Sequence, residues 1–203
     1  MKKVKVLLLI LVLLCLCGCS LKKENVKLFS DEEAVKYAEK AFGKCQLVSS
    51  DRSQNDSVKF TFVDEQYKFN YIVTSEIEEV KFLKTFYHSR ESSDFDEVYY
   101  NYILNNLSSD ISRIQNEKSV KIVKREKVYL KNMYTYDKNL FDIYSDNDDL
   151  DKMKEASSEL IESIKKIDTR NYYKNYFIYL YSSNQEDEMG DKKILDKIYL
   201  TGK

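Results

Sequence analysis

The feature that most constrains this chain is a change of hydrophobic period at Gly43. Before it, Ala34, Val35, Ala38, Ala41 and Phe42 recur at helical spacing, and from Gln46 onward the spacing falls to two. A chain that switches in this way must build an amphipathic helix beside a sheet. Ser30 with Glu33 three residues on is a capping box that starts the helix. Gly43 is placed to end it in the left-handed conformation. Val58, Phe60 and Phe62 share one face of a strand, and Phe69, Tyr71 and Val73 share one face of the next, with Asp64, Glu65 and Gln66 as the turn. A further apolar run over residues 80–87 extends this antiparallel sheet.

The second half repeats the alternation of blocks. Ser92 and Ser93 offer caps for a helix whose apolar positions Phe95, Val98, Tyr99, Tyr102, Ile103, Leu107, Ile111 and Ile114 keep a 3.6-residue period. Residues 120–123 and 128–133 read as two strands. An acidic turn then leads into a third helix carrying Leu150, Met153, Ala156, Leu160, Ile161, Ile164 and Ile167 on one side. A closing hairpin follows, with strands near residues 173–181 and 194–200 around a polar loop at 182–191. Proline is absent, so the breaks between elements come from polar turns and helix caps. Blocks of strands and helices predict an α+β fold, antiparallel sheet(s) packed with about three amphipathic helices, rather than a parallel α/β sheet. Residues 30–203 form a single globular domain on this reading, with residue 117 as the place where two halves would meet.

The N-terminus carries a different signal. Lys2, Lys3 and Lys5 lead into an apolar run over residues 6–17, too short for a spanning helix of roughly 20 residues and laid out like a secretory signal. Of Cys15, Cys17 and Cys19, only Cys19 follows a small residue, Gly18. Leu16-Cys17-Gly18-Cys19 resembles the lipobox of bacterial lipoproteins, with Cys17 a mild departure in the second place. The resemblance implies diacylglycerol on the Cys19 thiol and cleavage between Gly18 and Cys19. It also implies a chain lipid-anchored to the outer face of the cell membrane. Residues 1–18 are then the signal peptide and 19–29 a lipidated tether; two or three acyl chains suffice for stable anchoring. An ordinary secretory signal with cysteines in its tail is the alternative. The body resembles the small uncharacterised α+β lipoproteins common in low-GC Gram-positive bacteria, and its helix followed by antiparallel strands resembles PepSY or cystatin-like modules. Neither resemblance carries over a functional residue beyond Cys19.

Loss of Lys2, Lys3 and Lys5 with the leader leaves 30 basic residues against 34 acidic, a formal net charge of -4. A nucleic-acid partner is therefore not expected, since no basic excess exists to meet a phosphate backbone. With Cys19 lipidated, Cys45 is a lone thiol and reads as a small buried residue beside the first strand. His88, the sole histidine, lacks the nucleophile elbow of a serine hydrolase and the cysteines of a zinc cage, so no metal and no cofactor are expected. Asp142, Asp146, Asp148, Asp149 and Asp151 have the oxygens of a calcium loop, yet Leu150 occupies the next alternate position and no glycine makes the midway turn. Helix capping explains them better. More than thirty acids without distinguishing context leave no assignable catalytic pair.

Two surfaces remain. Lys118, Lys121, Lys124, Arg125, Lys127 and Lys131 form a basic strip that reads first as the solvated face of a hairpin, with Lys121, Lys124 and Lys127 as candidate contacts to an anionic surface on the alternative reading. Among the tyrosines of residues 99–102 and 172–181, Tyr99, Tyr100, Tyr102, Tyr173 and Tyr181 are the candidate binding surface, because tyrosine anchors interfaces at little entropic cost. The reading that follows is a non-enzymatic extracytoplasmic protein-binding module, inhibitor or immunity-like. Its alternative is a cell-wall-directed hydrolase or carbohydrate-binding protein.

Overall fold

The computed structural model describes residues 23–81, 85–125, 138–186 and 190–201. The fold is α+β; the described residues form two four-stranded sheets and three α-helices. The chain divides into two compact units, Met1–Ser93 and Asp94–Lys203.

In the first unit, helix α1 (Asp31–Phe42) starts at the expected capping box. The Glu33 N–H donates to Ser30 Oγ at 3.2 Å, and the Ser30 N–H donates to Glu33 Oε2 at 2.8 Å. Gly43 ends the helix as expected, but at φ 91° and ψ -169° rather than in the left-handed helical conformation, a positive-φ extended backbone that glycine adopts without strain. Strands β1 (Cys45–Gln54), β2 (Ser57–Asp64), β3 (Asn70–Lys81) and β4 (Thr85–Ser93) then form an antiparallel meander in sequence order. The register pairs Phe60 with Val73 and Phe62 with Tyr71, which gathers the period-two residues on one buried face. Ala34, Ala38 and Phe42 of α1 are buried, and the Phe42 ring meets Tyr71 edge-on at 5.5 Å. Cys45 is buried at the start of β1, and burial raises its thiol pKa, partly offset by the Tyr71 hydroxyl. Residues 23–29, expected as free tether, are docked in part. The Phe29 N–H donates to Ser75 Oγ at 3.2 Å, its carbonyl accepts from Arg52, and its ring lies 5.7 Å from Tyr37.

The apolar run 80–87 is not one strand: it spans the end of β3 and the start of β4, where Phe86 is exposed. Ser92 and Ser93 likewise belong to β4. The Ser93 hydroxyl donates to the Ile72 carbonyl, and Asp94 takes the N-cap position of the next helix.

In the second unit, α2 (Phe95–Lys118) packs on α3 (Leu150–Ile167) and on β5 (Val120–Lys124). The other strands are β6 (Asn139–Ser145), β7 (Phe177–Glu186) and β8 (Lys192–Tyr199), in the order β5-β6-β7-β8. β6 and β7 run parallel, joined by the α3 crossover; the other two pairs are antiparallel. The boundary between units falls before α2 rather than near residue 117, because α2 shares its buried stripe with α3. Arg113 and Lys118 of α2 also meet Glu159 of α3 at 2.9 and 3.1 Å. The expected strand 128–133 lies outside the described residues. Sequence reading missed β6, which is buried along nearly its whole length and so lacks alternation.

The final hairpin begins at Phe177 rather than at Tyr173, because residues 168–176 wind around the carboxylate of Asp168. That group accepts from Tyr99 Oη at 2.6 Å, the Tyr172 N–H at 2.9 Å and the Tyr173 N–H at 2.8 Å. Among the described residues, no helix is long and apolar enough to cross a membrane.

Candidate binding surface

Strand alternation divides the second sheet into two chemically different faces. Ile122, Ile143, Leu180 and Ile198 share the face turned to the helices. The opposite face is built of cross-strand rows. Lys121, Tyr144, Tyr181 and Ile194 make one row; Val123, Asp142, Tyr179 and Lys197 the next; Phe177 and Tyr199 continue the pattern. β7 encodes this directly, since Phe177, Tyr179 and Tyr181 alternate with Ile178 and Leu180.

Five rings run continuously across that face. Tyr144 stacks on Tyr181 at 5.5 Å and 18°, Tyr181 meets Tyr179 at 5.6 Å, Tyr179 meets Phe177 at 4.8 Å, and Phe177 meets Tyr199 at 5.8 Å. The Lys197 ammonium lies 3.6 Å from the centre of the Phe177 ring and 5.0 Å from that of Tyr199. This is a cation–π seat in which the lysine stem covers ring surface. Phe177 is thereby buried, Tyr144, Tyr179 and Tyr181 are half-buried, and Ile194 and Tyr199 are 47% and 39% exposed. Burial pushes the Tyr181 hydroxyl up to about 12, with the Asp142 charge adding and Arg125 opposing; Tyr144 is raised for the same first reason. Both hydroxyls are neutral donors at physiological pH. Beneath the rings, Asp142 is held by the Asn139 amide and by Arg125 Nε at 3.4 Å.

The residues proposed from sequence divide. Tyr99, Tyr100 and Tyr173 are buried at 0%, 3% and 0%, and so belong to the core and not to a binding surface. Their hydroxyls explain the error only in part: Tyr99 donates to Asp168 and Tyr100 to the Leu140 carbonyl, so polar tips on helix-spaced tyrosines found internal acceptors. Tyr102 is half-buried on α2, its ring 6.3 Å from that of Tyr99. Tyr181 alone of the five lies on the outer sheet face. Lys121 and Lys124 are both exposed, but three residues apart on one strand they point to opposite faces and do not form one strip. Lys118 and Arg125 are engaged by Glu155, Glu159 and Asp142. Lys127 and Cys19 lie outside the described residues. Tyr144, Phe177, Tyr199 and Lys197 were missed; the alternation of β7 was the available signal.

Three members of the acidic run are held in structural contacts: Asp142 beneath the rings, Asp148 and Asp149. Asp149 caps α3 by accepting the Lys152 N–H at 3.2 Å. Asp148, at φ 54°, accepts Ser182 Oγ at 2.6 Å and the Ser183 N–H at 2.7 Å. The Ser182 bond first, then these backbone donors, hold its carboxyl below the usual range. A depression of about 120 Å³ beside the end of α3 is lined by Ile164, Asp168, Tyr173 and Leu200, among others. Its one carboxylate is the one already bound by Tyr99 and the backbone. No family model, no curated protein and no solved structure matches this chain.

Proposed function

We propose that this protein is a lipid-anchored, non-enzymatic binding module on the outer face of the cell membrane. It presents the outer face of its second sheet to an extracytoplasmic protein, as an inhibitor or immunity-like factor. The observation that carries the reading is the continuous ladder from Tyr144 to Tyr199, partly exposed on one face of the sheet and seated around Phe177 against Lys197. Aromatic side chains held in fixed rotamers offer large contact area with little entropy left to lose.

The ladder also favours a protein over a sugar. Tyr144 and Tyr181, stacked at 5.5 Å and 18°, turn ring faces to each other, and the Lys197 ammonium lies over the Phe177 ring, which takes these faces out of the open stacking that a sugar needs. A glycosidase places two carboxyl groups on either side of the scissile bond. Among the described residues, the buried carboxylates Asp64, Asp142 and Asp168 each accept hydrogen bonds from backbone, amide or tyrosine groups of the fold.

Anchoring at Cys19 would keep the first unit near the bilayer. Phe29 is docked ten residues on, a span of at most about 35 Å when extended. The test is crosslinking of the native protein on intact cells followed by mass spectrometry, with Cys19→Ala as the control. One protein partner that is lost in the control supports the reading. Membrane retention of Cys19→Ala overturns the anchor, and absence of any specific partner overturns the module.

A further inference from the structure

We infer that the outer face of the second sheet takes an acidic segment of its partner protein, whose carboxylates meet Lys121 and Lys197. The inference rests on the face being a protein-contact surface and adds the chemistry of what covers it. The charges on the face are uneven. Its acid within the rows, Asp142, has only 8% of its side chain exposed and is turned to Arg125 and Asn139. Asp196, the neighbour of Lys197, points to the other face, where it meets Lys154 at 3.1 Å. Among the described residues, no carboxylate lies within salt-bridge distance of Lys121 or Lys197. Among the described residues, two ammonium groups therefore flank the tyrosine ladder without an acid partner.

Their spacing is set by the sheet. Lys121 is on β5 and Lys197 on β8, three strand separations apart and one row apart, so their backbones stand about 16 Å from one another. An acidic segment crossing the strands would span that distance in about five extended residues. Between the two lysines it would pass over Tyr144, Tyr181 and Tyr179, whose hydroxyls donate to carboxylates or carbonyls. Lys197 is suited to the role because the Phe177 and Tyr199 rings fix its ammonium in place, which lowers the cost of ordering a long side chain on binding. The complementarity mainly governs selection and association rate, as charges at an interface rim do.

The probe is poly-L-glutamate, added to the full-length lipidated protein in phosphatidylcholine vesicles and followed by tyrosine fluorescence. The wild type is expected to bind, more weakly as salt rises. The double variant Lys121→Glu/Lys197→Glu should lose about tenfold in affinity. Lys36→Glu/Lys40→Glu, which makes the same change of charge on α1, should lose little. Equal loss in both variants, or no binding by the wild type, overturns the inference. Binding to phosphatidylglycerol vesicles in preference to poly-L-glutamate would assign the face to the membrane. Self-association abolished by Lys121→Glu/Lys197→Glu would assign it to a second copy; either result also overturns the inference. If the cell-surface partner is captured equally well by the charge-reversed variant, the acidic partner is wrong while the binding surface stands.

Discussion

Asp168→Ala removes the acceptor around which residues 168–176 are wound, and its cost can be built from the three donors it strands. The Tyr99 hydroxyl and Tyr173 N–H are in buried bonds of 2.6 and 2.8 Å, and the Tyr172 N–H is in a part-buried bond of 2.9 Å. A buried donor left unsatisfied costs about 1–3 kcal/mol, with the part-buried one at the low end, so the second unit should lose about 3–7 kcal/mol. That is a large share of a domain stability of about 5–15 kcal/mol. With a urea slope of about 2 kcal/mol per molar, the unfolding midpoint falls by about 1.5–3.5 M. Far-ultraviolet circular dichroism gives the midpoint, and amide exchange in β6 and β7 assigns the loss to the second unit. Tyr99→Phe, which strands no donor, should cost about 1 kcal/mol. A midpoint shift for Asp168→Ala below about 0.3 M would refute the reasoning. It would mean that Tyr99 and Tyr173 are not locked in the core, reopening them as surface residues.

Ser119 holds a left-handed conformation at φ 52° and ψ 50° at the end of α2; Ser119→Gly should raise stability by about 0.5 kcal/mol in the same urea assay, since relief of strain exceeds the entropy glycine adds. Tyr181 has its hydroxyl raised to about 12 in the fold, so its contribution is complete below the unfolded value near 10 and is lost between there and 12. Tyrosinate absorbance should therefore lag in Tyr144 and Tyr181 until the alkaline unfolding transition, and simultaneous ionisation of all tyrosines near pH 10 would contradict the packed ladder. Asp148, Asp196 and Glu159 have lowered values, so they contribute above the unfolded carboxyl range and lose their contribution as pH falls through their folded values; acid titration should destabilise the second unit, and Asp148→Asn should flatten that limb. Cys45 is 6% exposed with a raised thiol, so iodoacetamide should label it only as fast as the first unit opens, and rapid labelling of the native protein would show it to be accessible.

Much of the fold was legible because the sequence changes period wherever the structure changes element. The capping box at Ser30 and Glu33, the buried alternation of Val58, Phe60 and Phe62, and the stripe of Met153, Ala156, Leu160 and Ile164 on α3 were all readable. β6 was not. A central strand buried against the helices on one face and under its neighbours' side chains over most of the other carries no clear period, and its Asp142 broke the apolar run, so residues 139–145 looked like the approach to an acidic turn. The site was half legible for a related reason. Tyrosine is amphipathic, and only contacts distant in sequence decide whether its hydroxyl finds an internal acceptor. Asp168, 69 residues from Tyr99, draws that ring inward, while the alternation of Phe177, Tyr179 and Tyr181 with Ile178 and Leu180 already separated an outer row from an inner one. The basic strip misled because charge was counted along the chain, whereas alternation sends Lys121 and Lys124 to opposite faces.

The most direct test of the account places a photo-crosslinking amino acid at Tyr144, Tyr179 or Tyr199 of the full-length protein, and at Val35 on α1 as the control, in living cells. The three sheet positions should capture the same extracytoplasmic protein, and position 35 should not. Capture from α1 alone, or of a different protein from each position, would contradict a single contact surface on the outer face of the second sheet.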